Sequence, residues 1–229
     1  MELMKFRSFL FSSDVLSRHL LLGARQQLLG IRHMTDMASR IKPVVVSGPS
    51  GCGKSTLIKR MMVDHPGKFG FSVSHTTRLP RPGEVDGKDY HYTDRASMQQ
   101  AIEAGEFIES AEFSNNLYGT SRKSVQDVLD KGLVCLMDID SQGVKNIKKT
   151  DLDCLLIFVR PPSMDELEKR LRGRGTETED AIQRRLGMCK SEMEYASQPG
   201  VYHYTVVNDK LDQAYIDFEE IVRKETGHI

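Results

Sequence analysis

One octapeptide constrains this chain more than any other: Gly48-Pro49-Ser50-Gly51-Cys52-Gly53-Lys54-Ser55, with Thr56 behind it and the apolar run Val44-Val45-Val46 in front. The pattern G-x-x-x-x-G-K-S lies between a short β-branched strand and a segment of helical periodicity, the setting in which it serves as a phosphate cradle. Glycines let backbone N–H groups converge on phosphate oxygens without a side-chain clash. The helix that follows aims its free N–H groups, and the positive end of its dipole, at the same oxygens. Lys54 adds a mobile charge for β- and γ-phosphates, and the Ser55 hydroxyl is placed to ligate Mg²⁺. A glycine-rich turn that only redirects the chain has no use for Lys-Ser after its last glycine.

The remaining composition narrows the class. Lys+Arg and Asp+Glu balance at 32 each, which argues against a general nucleic-acid binder and directs attention to local basic clusters. Four scattered cysteines, Cys52, Cys135, Cys154 and Cys189, form no metal knuckle and read as reduced intracellular thiols. No apolar run approaches the roughly 18 residues of a membrane span. Residues 1–40 stand apart: six basic residues, among them Arg18, Arg25 and Arg32, outnumber the acids Glu2, Asp14 and Asp36, with leucines between them at roughly helical spacing. This resembles a mitochondrial presequence over residues 1–36. The alternatives are an untargeted extension or a start at Met34 or Met37, and the expected location is the cytosol, with the mitochondrion as alternative. The extension is set aside from the fold.

From the loop onward, strands alternate with helices. Leu57, Ile58, Met61 and Met62 line a helix that His65-Pro66-Gly67 ends. Ser74 to Glu84 is too rich in proline and polar residues for a core element and reads as a loop presenting Arg78 and Arg81. Up to Tyr118 only short strand-like pieces (90–93, 107–113), a helix over 96–104 and an Asn115-Asn116 turn follow, as in a small inserted lobe. Leu133 to Asp140 is an apolar run that breaks into acid, a buried parallel strand whose C-terminal end gathers ligands. Asp138 and Asp140 lie there, and one of them could instead cap a helix beginning near Ser141. Cys154 to Val159 is the next strand. Ser163 with Glu166 forms a capping box for a helix ending near Arg172. A Gly-Arg-Gly turn then leads to a second helix carrying Arg184 and Arg185, so the two helices fit a lid. Tyr204 to Val207 is the last strand, and Leu211 to Lys224 the closing helix, with Ala214, Ile216, Phe218 and Ile221 supplying most of its apolar residues. The expected fold is α/β: a parallel sheet with helices on both faces, an inserted mixed α+β lobe and a helical lid.

The chain from about Lys42 to Lys224 resembles the guanylate kinase family. The likeness rests on Ser47 to Gly51, Phe71 to Arg78, Arg81-Pro82-Gly83-Glu84, Gly87-Lys88-Asp89-Tyr90, Phe107-Ile108-Glu109, Tyr118-Gly119-Thr120, Asp138-Ile139-Asp140 and Arg174 to Glu179. It implies transfer of the γ-phosphoryl of ATP to GMP, with Mg²⁺. It also implies a core of 41–73, 121–168 and 190–225, a GMP-binding lobe of 74–120 and a lid of 169–189. Gly48 to Thr56, with Asn208 near the adenine, would hold ATP. Ser74, Arg78, Arg81, Glu84, Tyr90, Glu109, Tyr118, Thr120, Asp138 and Asp140 would hold GMP. Lys54, Arg78, Arg81, Arg170, Arg174 and Arg185 would serve the transfer, and Ser55 the metal, with Asp138 acting through water.

The chemistry of these residue types agrees. A nucleoside monophosphate carries about two negative charges, which guanidinium forks and phenol hydroxyls can meet. Guanine offers donors at N1 and N2 that a carboxylate accepts together, and Glu109 is the residue matched to that task. A monomer, tolerance of dGMP, and no nucleic-acid or membrane partner are further expectations from the resemblance. The rival from another class is the non-catalytic guanylate-kinase-like module that binds phosphopeptides, against which the intact Lys54-Ser55 pair argues. A GTP-hydrolysing switch would carry Asn-Lys-x-Asp late in the chain, and Asn208-Asp209-Lys210 is not that motif.

Overall fold

The computed structural model describes residues 41–113, 115–173 and 178–229. The extension over 1–40 and Arg174 lie outside the described residues. Nine strands and seven helices follow one another among those described. Strand β1 (Val44–Ser47) leads through the glycine loop into helix α1 (Lys54–Asp64), and β2 (Phe69–Phe71) follows. Then come β3 (His75–Thr76), β4 (His91–Tyr92), α2 (Arg95–Glu103), β5 (Phe107–Phe113), β6 (Asn116–Ser121) and α3 (Arg122–Leu129). Strand β7 (Val134–Asp138), α4 (Ser141–Ile147), β8 (Leu155–Arg160), α5 (Met164–Gly173), α6 (Glu179–Ala196), β9 (Tyr204–Val207) and α7 (Leu211–Thr226) complete the chain.

The strands form two sheets. The larger is wholly parallel, in the order β2-β7-β1-β8-β9, and the smaller is mixed, in the order β4-β3-β6-β5. Apolar runs supply the parallel strands because both faces of that sheet are covered. Val44 and Val46 pack with Leu57, Met61, Phe218 and Val222 beneath α1 and α7, while Val45 turns the other way onto Cys135, Met137, Val125 and Val144 under α3 and α4. Period-two alternation along β1 thus divides three consecutive valines between two cores. Each such fully buried side chain contributes about 1.5–3 kcal/mol relative to exposure. A third cluster, Leu167, Leu171, Ile182 and Cys189, joins α5 to α6.

The segment read as a loop over Ser74 to Glu84 contains β3, which pairs antiparallel with β6 and parallel with β4. Two residues suffice because the strand is held from both sides, so neighbours override a composition that disfavours strand. Ser163 caps α5, accepting from the Glu166 N–H at 3.1 Å, but the reciprocal half of the box is not made. Glu166 instead accepts from Arg170 Nε at 2.9 Å, because a charged partner one turn on outcompetes a neutral N–H. In α7 the buried face is Ala214, Tyr215, Phe218 and Val222, with Ile221 partly covered. Ile216 is 52% exposed, since two residues on from Ala214 is about 200° around a helix.

Phe218→Ala should therefore cost about 3–5 kcal/mol, while Ile216→Ala should stay within about 0.5 kcal/mol. Urea unfolding midpoints at unchanged slope read both values, and equal losses would contradict the assigned face.

Candidate active site

The glycine loop runs from Gly48 to Gly53, and Gly48, Gly51 and Gly53 have φ of 141°, 95° and 97°. At Gly53 a Cβ would lie 2.2 Å from Asn208 Nδ2, and at Gly48 2.0 Å from the Val159 carbonyl oxygen, so neither position admits a side chain. Lys54 Nζ donates to the carbonyls of Gly48 at 2.7 Å and Pro49 at 3.3 Å, and stands 3.8 Å from Asp138 Oδ1. Burial works against its charge, but Asp138, Cys52, Glu192 and Asp140 outweigh it and hold the lysine above its ordinary pKa. Ser55 Oγ donates to Asp138 Oδ2 at 3.2 Å. Thr56 follows on the exposed first turn of α1, its N–H bonded to the Gly53 carbonyl at 3.1 Å.

Cys52 is fully buried, and burial pushes its thiol up. The sensitivity to oxidation that a loop cysteine suggests does not fit these surroundings, since the thiolate is the reactive form. Asn208, expected near the donor's base, is buried behind the loop, where Nδ2 donates to the Cys52 carbonyl at 2.8 Å. Here it clamps the loop. Arg170 extends the clamp, donating to the carbonyls of Asn208 at 2.9 Å and Asp209 at 3.3 Å. Arg185, on α6, donates from Nη1 to Ser50 Oγ, which brings the second arginine helix onto the loop.

The smaller sheet presents the other residues singled out in the sequence. Antiparallel pairing of β3 with β6 and of β6 with β5 brings Ser74, Thr120 and Glu109 together. Ser74 Oγ and Thr120 Oγ1 are 3.5 Å apart, and Glu109 lies opposite Thr120 just past a register shift in β5. Such a bulge re-aims a side chain. Glu109 is 8% exposed, and burial raises its carboxyl to about 7 against the pull of hydrogen bonds from Thr120, with Asp140 adding to the rise. Tyr90 and Tyr118 meet edge to face at 6.1 Å, and the Arg78 guanidinium stands 5.4 Å from the Tyr90 ring. Burial raises the Tyr90 phenol, which keeps it a donor.

Glu84 joins Arg78, the loop residue beside which it was expected. Both of its oxygens accept from Arg78 Nη2 at 2.9 Å, and Oε2 also accepts from the Arg81 N–H at 2.7 Å and Tyr92 Oη at 2.8 Å. These bonds, the Arg81 N–H first, lower its pKa to about 2. A carboxylate so committed holds the Arg78 guanidinium in place. The Arg81 side chain is exposed. Asp140 resolves the choice left open between the two acids: its Oδ1 accepts from the Gly143 N–H at 2.7 Å as the cap of α4. Asp138 caps nothing, its oxygens facing Ser55 and Lys54.

Three participants were missed in the sequence. Tyr92 was visible in the alternation Tyr90-x-Tyr92, which puts both rings on one face of a strand. Tyr202, whose hydroxyl donates to Ser47 Oγ at 3.1 Å, carried no motif. Glu192 sits among charges on α6, where it reads as an ordinary solvated face. Burial raises its carboxyl against the attraction of Lys54, and it accepts from Ser141 Oγ at 3.2 Å.

A parallel sheet whose first strand turns through a glycine loop into a helix, with Lys54 and Asp138 at that turn, defines a P-loop nucleotide-binding protein. Residues 40–225 match the family model "Guanylate kinase". A guanylate kinase of Sus scrofa is 53% identical over 193 residues, covering 82% of this chain and 98% of that one. The guanylate kinase of Homo sapiens is 54% identical over 184 residues, covering 80% and 93%. The solved guanylate kinase of Anaplasma phagocytophilum superposes with a TM-score of 0.64 at 31% identity, over 82% of this chain and 87% of that one. The chain belongs to the guanylate kinase family.

A carboxylate that must accept two N–H bonds has to be ionised, whereas free Glu109 titrates at about 7. Its raised pKa means the free protein holds the proton below that pH and would have to release it to accept the two N–H groups of guanine. The apparent Kd for GMP should then rise about tenfold per pH unit below 7. Calorimetry at pH 5.5 to 8 with Glu109→Gln alongside removes the titration of the nucleotide's own phosphate. An identical pH profile in the variant would contradict the assignment.

Proposed function

We propose that the protein moves the γ-phosphoryl group of ATP onto GMP, giving ADP and GDP. One observation carries the reading: a phosphate loop with a half-buried lysine shares the molecule with a small sheet whose arginine and tyrosines lead to the buried carboxylate of Glu109. Phosphoryl transfer demands that two anionic groups be held in line and that charge on the transferring group be met. In this reading the loop amides and Lys54 take the β- and γ-phosphates of ATP. Lys54 exchanges its bonds to the Gly48 and Pro49 carbonyls for phosphate oxygens, so the loop is ready before substrate arrives. Arg78, already oriented by Glu84, meets the GMP phosphate together with Arg81, Tyr90 and Tyr118. A GMP phosphate oxygen attacks the γ-phosphorus as the bond to the β,γ-bridging oxygen breaks.

Base selection follows from Glu109, with Ser74, Thr120 and Asp140 beside it. A buried acceptor left unpaired by adenine supports discrimination of roughly 10⁴-fold. The segment 169–189 serves as a lid, and 74–120 as the acceptor lobe. Arg170, Arg174 and Arg185 close over the phosphates and expel water that would otherwise hydrolyse ATP. Ser55 and Asp138 would hold Mg²⁺, their hydrogen-bonded oxygens being of the kind a hard cation takes. Among the described residues no three His, Cys, Asp or Glu side chains gather as an all-protein metal site, which suits a cation bound through one carboxylate and the nucleotide's own phosphates. When bound, Mg²⁺ would neutralise charge building between the β- and γ-phosphates.

The test is ADP release from ATP and Mg²⁺ with GMP, dGMP, AMP, UMP and CMP in parallel. GMP should accelerate release, dGMP should follow, and Lys54→Ala should lower turnover by about 10²-fold or more. No acceleration by GMP, or full turnover without Lys54, would overturn the reading.

We also place the protein in the cytosol, as a monomer with neither nucleic acid nor membrane as partner. Balanced charge argues against a general nucleic-acid partner, the monomer rests on the family resemblance, and no helix among the described residues is long and apolar enough to cross a membrane. Residues 1–40 fused to a fluorescent reporter should give a diffuse signal. Mitochondrial accumulation would instead identify them as a presequence.

A further inference from the structure

Helix α4 is two turns long, and its opposite sides meet different parts of the molecule. Ser141 and Lys145, one turn apart, face α6: Ser141 Oγ donates to Glu192 Oε1 at 3.2 Å, and Lys145 Nζ stands 4.7 Å from the centroid of the Tyr195 ring. Gly143 and Asn146, on average about 150° around the helix from Ser141 and Lys145, face β5. A Cβ on Gly143 would lie 2.8 Å from Glu109 Oε2, and Asn146 Nδ2 donates to the Ser110 carbonyl at 2.9 Å. Asp140 caps the helix and Val144 and Ile147 anchor it in the core, so its two turns move as one piece. At its other end α6 touches the phosphate loop through Arg185 and Ser50. Three contacts thus lie in series: the phosphate loop with Arg185 of α6, Glu192 of the same helix with Ser141 of α4, and Gly143 of α4 against the Glu109 carboxylate.

We propose that Glu192 is a positioning residue: bonded to Ser141, it ties the seat of α6 to the seat of Glu109 through α4, so that the two nucleotides bind cooperatively. The proposal rests on the ATP and GMP sites assigned above and adds a coupling between them. The physical basis is shared packing. Gly143 leaves Glu109 only the space a missing Cβ provides, so a shift of α4 is felt at that carboxylate. A shift of α6 that brings Arg185 further onto a nucleotide-filled loop pulls on Ser141 through Glu192. Each nucleotide therefore favours the position of α4 that suits the other, and the effect is reciprocal by linkage. The charge of Glu192 also acts on Lys54, a second tie to the donor site, which is why the neutral Ser141 makes the cleaner variant.

Calorimetry of GMP binding, alone and with a saturating non-hydrolysable ATP analogue, reads the coupling in wild type, Glu192→Gln and Ser141→Ala. Wild type should bind GMP at least about fivefold more tightly with the analogue present, the lower end of ordinary allosteric coupling. Both variants should bring that ratio below about twofold while GMP alone binds within about threefold of wild type; a merely structural role would shift stability and leave the ratio alone. Circular dichroism establishes which variants are folded, and Ser141→Ala decides if Glu192→Gln is not. A wild-type ratio of one, or a wild-type ratio retained in either folded variant, overturns the proposal. Wild type that binds no GMP overturns the kinase reading as well, so the two failures are distinguishable.

Discussion

The parallel pairing of β1 with β7 is the constraint on which the donor side depends. It sets Val46 against Asp138, so the carboxylate emerges where the chain leaves β1 for the glycine loop. From that register follow the bond from Ser55 to Asp138 and the approach of Lys54 to the same side chain. A slip of one residue would turn Asp138 into the apolar layer holding Val45 and Met137, at the cost of burying an unpaired charge. The valines flanking the pairing therefore do more than fill the core. They make the acid's position non-negotiable.

Charge is then distributed so that each binding group is oriented before substrate arrives. Lys54 bridges two loop carbonyls within reach of acids, and Arg78 is gripped by Glu84, itself held by Arg81 N–H and Tyr92. A guanidinium left unpartnered would sample many rotamers and pay to be ordered on binding. Glu84 removes that cost in advance, and repulsion between it and the incoming phosphate is small beside a correctly aimed arginine. Glu109 stands at the opposite extreme. It is buried beside hydroxyls, an environment suited to pairing with a base's N–H groups rather than with a phosphate, and its raised pKa means such pairing would require it to be ionised.

Most of this architecture was legible in the chain. Continuous apolar runs located the parallel strands, and the loop motif located the donor site, because both signals are local in sequence. The acceptor residues Ser74, Glu109 and Thr120 came from resemblance alone, since what joins them is pairing among β3, β5 and β6, which no short window contains. The grip of Glu84 on Arg78 was hidden for the same reason: its sequence neighbourhood is a polar loop, whereas its bonds run to Arg78, the Arg81 backbone and Tyr92. A count of apolar residues in α7 does not give their phase: Ile216 is exposed, while Tyr215 is buried and its ring meets Arg60 at 4.1 Å.

Glycines show why neither chemistry nor packing alone accounts for the site. Gly48 and Gly53 are required because a side chain would collide with the Val159 carbonyl and with Asn208, the residue that fastens the loop. Gly53 and Asn208 thus form one device: the amide that holds the Cys52 carbonyl occupies the space a Cβ would claim. Gly143 repeats the arrangement at the acceptor end, where it gives room to the Glu109 carboxylate and to Ile139. In each place an absent methyl group lets a polar side chain approach backbone closely in a dry environment, where hydrogen bonds and charges act most strongly. Restoring that methyl would displace the very group whose position the chemistry needs, so these positions are constrained by contact rather than by conformation alone.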